Sequence, residues 1–414
     1  MAESTSASQD DVQKLINKAL DDLDPELRQI NRKIHESPEL GYQEVLAHDN
    51  ITAFLRSQGL SVTPHAFGLE TAFLAEYGSG GRVVTFNVEY DALPGIGHAC
   101  GHNLIATGSL AAFLGVVAAM KVHHIAGRVR ALGTPAEEGG GGKIRLIDAE
   151  AYADVDACLM THPFSSALIP PVYHGVAYGT CVASVKFGAT FTGKASHAAA
   201  APHEGINALD AAVLAYNGLS MLRQQIKPDQ RIQVVILKGG EVPNVITPKS
   251  VLDMNVRSST LEEARDLQLR VKKCFEGAAT ATGCTVKFEE TNAYAELVSN
   301  PDICISYSDI MAGLGAQQVC FVEKPPIPGP WSTDMGNVSK VCPGFHATYG
   351  IPTPNGAANH TPGFTEGAAT DEAHRLTILT SKGMAGTAWR MLTDDAFAKQ
   401  VRASFEKGKG AIGG

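Results

Sequence analysis

The chain has 414 residues, 44% hydrophobic and 19% charged, with a formal net charge of -9. That apolar content excludes a disordered chain, and a mildly acidic balance without runs of Lys and Arg argues against a nucleic-acid partner. The length points to two domains rather than one core.

The N-terminus reads MAESTSASQDD. It has no basic start and no apolar stretch, so no secretory leader is expected. The longest apolar stretch, 109–120, is shorter than the ~18 residues of a membrane span and reads as a buried helix, so no membrane partner is expected. Eight cysteines are scattered along the chain, unlike a small disulfide scaffold. Reduced thiols and a cytoplasmic location are the expectation.

A helical stretch is predicted over 9–58, broken at Glu36-Ser37-Pro38. Strands follow at 71–77 and 82–88, then a helix from Asn103 to about Lys121, with Asn103 as a candidate cap. Two more buried strands are expected at 128–132 and 155–160, each ending in a loop rich in polar or Gly residues. Strands alternating with helices predict an α/β layer with a mixed, largely parallel sheet. From 180 to 289 the pattern changes to β-α-β-β-α-β, the ferredoxin-like order. The expected organisation is a discontinuous catalytic domain, 1–177 and 294–414, interrupted by a lid or dimerisation domain, 178–293. The last helix is expected to begin near Thr370, and KGKGAIGG reads as a flexible tail.

Three segments carry chemistry. The first is EYDALPGIGHACGHN, 89–103, directly after a buried strand. Cys100 and His102 offer a thiolate and an imidazole, both suited to zinc and related metals. The pair alone reads equally as a small buried Cys and a core His. His98 reads as a loop residue. The second segment holds Glu137 and Glu138, again beyond a strand. Adjacent carboxylates can divide into a metal ligand and a general base. In isolation a solvated acidic loop is the better reading. The third is His162 before Pro163, and a lone His is more often structural than ligating. Three weak signals at three successive strand ends shift the balance, because open α/β sheets bind ligands there. His360, in a Gly/Pro-rich loop, is a fifth candidate ligand. His123 and His124 close a helix, and His203 and the other seven cysteines read as structural.

The sequence resembles the metallopeptidase-fold amidohydrolases: aminoacylases, glutamate-releasing carboxypeptidases, p-aminobenzoyl-glutamate hydrolases and hydrolases of auxin conjugates. The resemblance rests on HESPELGYQE (35–44), 89–103, GTPAEEGGGG (133–142), HP (162–163), 193–211, EVPNVIT (241–247), STDMGNVS (332–339) and NHTP (359–362). Asn103 stands where hippurate-type members carry Asp, and NHTP also departs from them. Both departures favour the β-alanyl-lysine (Xaa-Arg/Lys) dipeptidase branch. The resemblance implies metal ligands Cys100, His102, Glu138, His162 and His360, general base Glu137, and Asp91 as a supporting carboxylate. It implies that His197, Asn244 and Arg257 of the insert hold substrate, that His197 reaches an active site, in many members that of the partner subunit, and that the chain forms a homodimer through the insert. From the residues alone, His197 and Asn244 read equally as turn residues and Arg257 as a surface charge.

The expected function is hydrolysis of a peptide-like amide in a dipeptide or N-acyl amino acid. One or two divalent ions would serve, Zn first, with Mn or Co as alternatives. Two other functions stay open at this point. One is an amidase or acyl-transfer enzyme acting on a secondary metabolite or toxin. The other is a non-catalytic binding protein of the same fold.

Overall fold

The computed structural model describes residues 8–323 and 328–411, the last three as backbone only. The first seven residues and 324–327 lie outside it, as does the end of the tail, 412–414. The described chain forms two compact units.

The first unit opens with α1 (Gln9–Asp22), α2 (Asp24–Glu36) and α3 (Val45–Ser57). Ser8 caps α1 by accepting from the Asp11 amide. The chain then forms β1 (Ser61–Pro64), β2 (Phe73–Ser79) and β3 (Val83–Val88), followed by α4 (His102–His123). After α4 come β4 (Gly127–Gly133), α5 (Gly142–Asp148), β5 (Ala157–Ser165) and the short β6 (Gly175–Val176). The second unit is β7 (Ala183–Thr192), α6 (Ala208–Leu222), β8 (Arg231–Lys238), β9 (Lys249–Ser258), α7 (Leu261–Thr282) and β10 (Thr285–Tyr294). The remainder forms α8 (Pro301–Gly313), β11 (Gln318–Val319), α9 (Met335–Val341), β12 (Gly344–Ile351), α10 (Pro362–Ala368), α11 (Asp371–Thr393) and α12 (Asp395–Ala411).

The first unit's sheet has the order β1-β2-β4-β3-β5-β12-β6-β11. Its centre, β4-β3-β5-β12, is parallel, while β1, β2 and the β12–β6 pair are antiparallel. Parallel neighbours deliver their following loops to one edge of the sheet. The loops at 89–101, 134–141 and 352–361 therefore leave from the same side. α4 is apolar on all faces and almost wholly buried, a core helix although its length would suit a membrane. It packs on α11 through small residues. A β-carbon at Gly115 would sit 3.3 Å from Ala385 Cβ, so glycine permits the close approach.

The second unit's sheet has the order β10-β7-β9-β8, antiparallel throughout, with α6 and α7 as its helices. This is the ferredoxin-like topology that the spacing predicted. Its core stacks Phe191 on Phe275 at 5.7 Å, with Phe288 edge-on to Phe275. Thr260 caps α7 by accepting from the Glu263 amide. The unit spans 181–297 and also takes in residues 328–336 from much later in the chain. A purely contiguous insert does not reveal that return.

Several expectations need correction. Asn103 does not cap α4. The cap position is Gly101, in the left-handed region, and Asn103 lies buried inside the helix, donating to Asn31 Oδ1 and Ala368 O. β5 continues to Ser165, so His162 lies within the strand rather than beyond it. The start of the supposed tail is helical, because α12 runs to Ala411. β12 was not anticipated, and it is a central strand.

Candidate metal centre

Three loops and one strand bring the expected ligands together. The Sγ of Cys100 and ring nitrogens of His102 and His162 lie within 4.8 Å of one another. So do ligand atoms of Cys100, Glu138 and His360, and those of His102, Glu137 and Glu138. Cys100 and His102 come from the loop after β3 and the first turn of α4. Glu137 and Glu138 follow β4. His162 is in β5, and His360 follows β12.

The backbone is bent to achieve this. Ala136, just before the two glutamates, has φ 58, and His360 has φ 66. Both carry a β-carbon in a region that favours glycine, a strain that persists where surroundings hold it. The His360 amide donates to Ala99 O at 2.8 Å, tying the late loop to the Cys100 loop. Asn359 donates to Pro163 O at 3.1 Å, tying it also to the strand that carries His162.

Two of the candidate imidazoles are oriented through Nδ1. His102 places Nδ1 3.1 Å from Asp91 Oδ1 and His162 places Nδ1 2.9 Å from the Pro163 carbonyl. In each case Nδ1–H donates to oxygen, which turns Nε2 toward the cluster. His162 Nε2 lies 3.4 Å from Cys100 Sγ. His102 Nε2 is fully buried without a hydrogen bond, 3.7 Å from Glu89 and 4.0 Å from Glu137. A buried, unbonded nitrogen facing carboxylates and a thiol is the donor set of a divalent cation.

The charges reinforce this. Burial works against ionisation of Asp91, but the His102 charge and hydrogen bond outweigh it and hold the carboxyl below its usual range. Burial opposes charge on His102 too, yet Asp91 raises it well above an ordinary histidine. Burial, then the charges of His346 and His102, push His162 down to about 3. Burial, then the Glu138 charge, push the Cys100 thiol up. Burial opposes ionisation of Glu138, but His360, with Nε2 3.2 Å away, keeps it lowered. Carboxylates, a thiol and the neutral His162 imidazole packed this closely suit a cation, which would favour the thiolate and displace the second proton of His102.

The sequence reading missed two members. Glu89 and Lys143 form a fully buried ion pair at 2.5 Å beside His102. Glu89 stands in the segment already singled out. Lys143, on the short α5, carries no sequence signal that sets it apart from Arg145 in the same helix. His98 is structural, with Nε2 donating to Ile34 O, and burial pushes it down to about 3.

The three insert candidates lie in the second unit. His197 Nδ1 accepts from the amides of Ala199 and Ala200, and its residue bridges Val245. The Ala198 amide donates to Asn244 O at 3.0 Å, so the His197 turn lies against the segment that carries Asn244. Arg257 ends β9 and donates to Pro330 O at 2.9 Å and Ser332 Oγ at 3.3 Å. Burial lowers its pKa.

The peptidase dimerisation domain profile matches residues 182–282, within the second unit. The chain is 42% identical to the Xaa-Arg dipeptidase of Mus musculus, over 94% of this chain and 90% of that protein. It is 38% identical to the Xaa-Arg dipeptidase of Homo sapiens, over 94% and 91%. A p-aminobenzoyl-glutamate hydrolase chain of Escherichia coli is 31% identical over 65% of this chain and 58% of that protein. Among solved structures, an aminohydrolase of Staphylococcus aureus gives a TM-score of 0.73 at 20% identity, covering 92% of this chain and all of that one. A dinuclear metal-binding peptidase of the M20 family from Bacillus subtilis gives 0.67 at 22%, covering 90% and 99%. These structures bear on the fold, and the long, similar relatives on the family. The chain belongs to the M20 peptidase family and is a metal-dependent hydrolase of peptide-like C–N amide bonds.

Proposed function

We propose that the chain cleaves small dipeptides or N-acyl amino acids, with Glu137 as general base. A dipeptide with a basic C-terminal residue is the first substrate class to test. The observation that carries this is the convergence of ligand atoms from Cys100, His102, Glu138, His162 and His360 around Glu137. Those five residues would hold one or two divalent ions. Zinc is favoured by the thiol, and manganese or cobalt would be tolerated by the imidazoles and carboxylate. Held there, such an ion would supply polarisation of the scissile carbonyl and a water of lowered pKa, towards ~7. Glu137 accepts the proton of the attacking water as its oxygen bonds to the carbonyl carbon. It then delivers that proton to the nitrogen as the C–N bond breaks. Asp91 orients His102 through Nδ1 and, with its other oxygen, accepts the Glu138 amide at 2.9 Å.

The dipeptidases of mouse and human, named for a C-terminal Arg, support the substrate class. His197, Asn244 and Arg257 would hold the substrate carboxylate or carbonyl, Arg257 through its planar fork. The second unit would form a homodimer. In support, its edge strand β8 exposes Val235 and Leu237, and α6 exposes Val213, Leu214, Tyr216 and Met221.

The test uses wild type and Glu137→Ala, with elemental analysis and a panel of dipeptides and N-acyl amino acids, adding Zn, Mn or Co. Metal in both proteins with cleavage reduced ~10²–10⁴-fold in the variant supports the reading. Equal cleavage by both would remove Glu137 as base. If His197 acts in the partner's site, mixing His197→Ala with Glu137→Ala chains restores activity.

A further inference from the structure

The segment 35–44, HESPELGYQE, contributes no ligand or base. Its residues 39–44 are nevertheless bonded to two of the centre's three loops. The Ala92 amide donates to Glu39 O at 2.8 Å, beside Asp91. Tyr42 OH donates to Gly140 O at 2.7 Å. The Ala136 amide donates to Glu44 Oε1 at 2.8 Å, and Thr71 Oγ1 donates to Glu44 Oε2 at 2.8 Å. The approach is tight: a β-carbon at Gly41 would lie 2.9 Å from Ala136 Cβ.

Glu44 is wholly buried, where a carboxyl is costly unless its oxygens are bonded. One of its oxygens accepts from the amide of Ala136, the left-handed residue directly before Glu137 and Glu138. Without that acceptor a buried N–H would be unsatisfied and the strained turn would lose its tether. Burial, then the Asp91 charge, raise the carboxyl to about 7. Either protonation state retains an acceptor for the amide.

We propose that Glu44 is a positioning residue for the hydrolysis: by holding the Ala136 amide it fixes the turn that presents Glu137 and Glu138. This rests on the reading of Glu137 as base.

The first test needs no activity. Hydrogen–deuterium exchange of the metal-free protein compares wild type, Glu44→Ala and Glu44→Gln over residues 133–142. Loss of one tether speeds exchange there by about fivefold or more in Glu44→Ala, while Gln, which keeps an acceptor oxygen, stays near wild type. Strands 183–294 serve as an internal reference. The second test is kinetic, on metal-loaded protein. Glu44→Ala loses about 10–100-fold in kcat with KM within about twofold, and Gln restores most of it. Glu44→Asp keeps the carboxyl but shortens its reach, so it carries both tests should the Ala variant fail to fold. Unchanged exchange at 133–142, unchanged kcat, or a Gln variant as impaired as Ala would each overturn the proposal. A wild type that cleaves nothing counts against the hydrolytic reading instead, and the exchange result alone then decides whether Glu44 fixes the turn.

Discussion

In the first unit, charge is placed inside. Glu44, Glu89, Asp91, His102 and Lys143 are all buried, and each is paired or bonded to another polar group. In the second unit the interior is aromatic and aliphatic, with Phe187, Phe191 and Phe275 fully buried, while His197 makes its bonds at an exposed turn. The first arrangement holds reacting groups in fixed positions before any substrate arrives, at a cost in stability. The second is a conventional hydrophobic scaffold carrying polar residues on its surface. Stability and chemistry should therefore respond separately in the two units.

The largest expected effect tests the scaffold. Phe275→Ala removes a ring stacked on Phe191 and edge-on to Phe288, and should cost about 3–5 kcal/mol. Hydrogen exchange should show that loss in 183–294 and leave strands 83–88 and 157–165 protected. Equal loss of protection in both units would break the comparison, because it would make them one cooperative block.

A pH effect sharpens it from the other side. Glu44 has a raised folded pKa, about 7, against an ordinary glutamate when unfolded. Between those values the folded state binds the extra proton, so rising pH reduces stability until the carboxyl is ionised, by a few kcal/mol at most on the order-of-magnitude scale of linkage. Glu44→Gln removes that titration. The metal-free variant should gain on wild type as pH rises from 5 to 8, measured by urea unfolding. The chain has two tryptophans, and with Trp331→Phe the buried Trp389 reports on the first unit. A stability difference independent of pH would show that Glu44 does not titrate as its burial implies.

Metal addition should separate the units more gently. Zinc at about a hundred times its dissociation constant stabilises what binds it by about 2.7 kcal/mol. Exchange protection should rise in 89–103, 134–142 and 358–362, and stay unchanged in the strands of the second unit. Protection that rises equally in 183–294 would mean that the metal is held elsewhere or that the units are coupled.

The fold was largely legible because its strands are short apolar runs bounded by glycine and its insert follows an unmistakable β-α-β-β-α-β order. What escaped notice depends on long-range pairing. β12 is a central strand because β5 lies beside it, and nothing within GFHATYGI announces a neighbour nearly two hundred residues earlier. The return of 328–336 to the second unit is equally invisible along the chain. In the site, the candidate ligand types were readable, since Cys, His and Glu reveal their chemistry by identity, but His162 was expected beyond its strand and lies within it. The supports were not. Lys143 reads as an ordinary helix residue and becomes meaningful only once Glu89 is 2.5 Å away. Asn103 reads as a cap because Asn caps helices, yet buried partners from α2 and the end of α10 outcompete that local role.

The smallest effect concerns the support of the candidate metal ligands. Asp91 uses both oxygens as acceptors, Oδ1 for His102 Nδ1–H and Oδ2 for the Glu138 amide. Asn at this position offers one acceptor oxygen, and its NH₂ group cannot accept, so one of the two bonds must be lost while side-chain volume is unchanged. If the His102 bond goes, the imidazole is free to rotate or change tautomer. If the Glu138 bond goes, the carboxylate turn loosens. Asp91→Asn should therefore cost about 10–100-fold in metal affinity or kcat, or roughly 1.4–2.7 kcal/mol. Metal titration and steady-state kinetics on the same preparation would measure both. His197→Ala provides the contrast, with turnover altered and metal affinity at the wild-type value. Asp91→Asn with wild-type metal affinity and turnover would mean that the buried carboxylate serves only the packing of its loop, and the difference drawn between a preorganised unit and a scaffold unit would lose its main support.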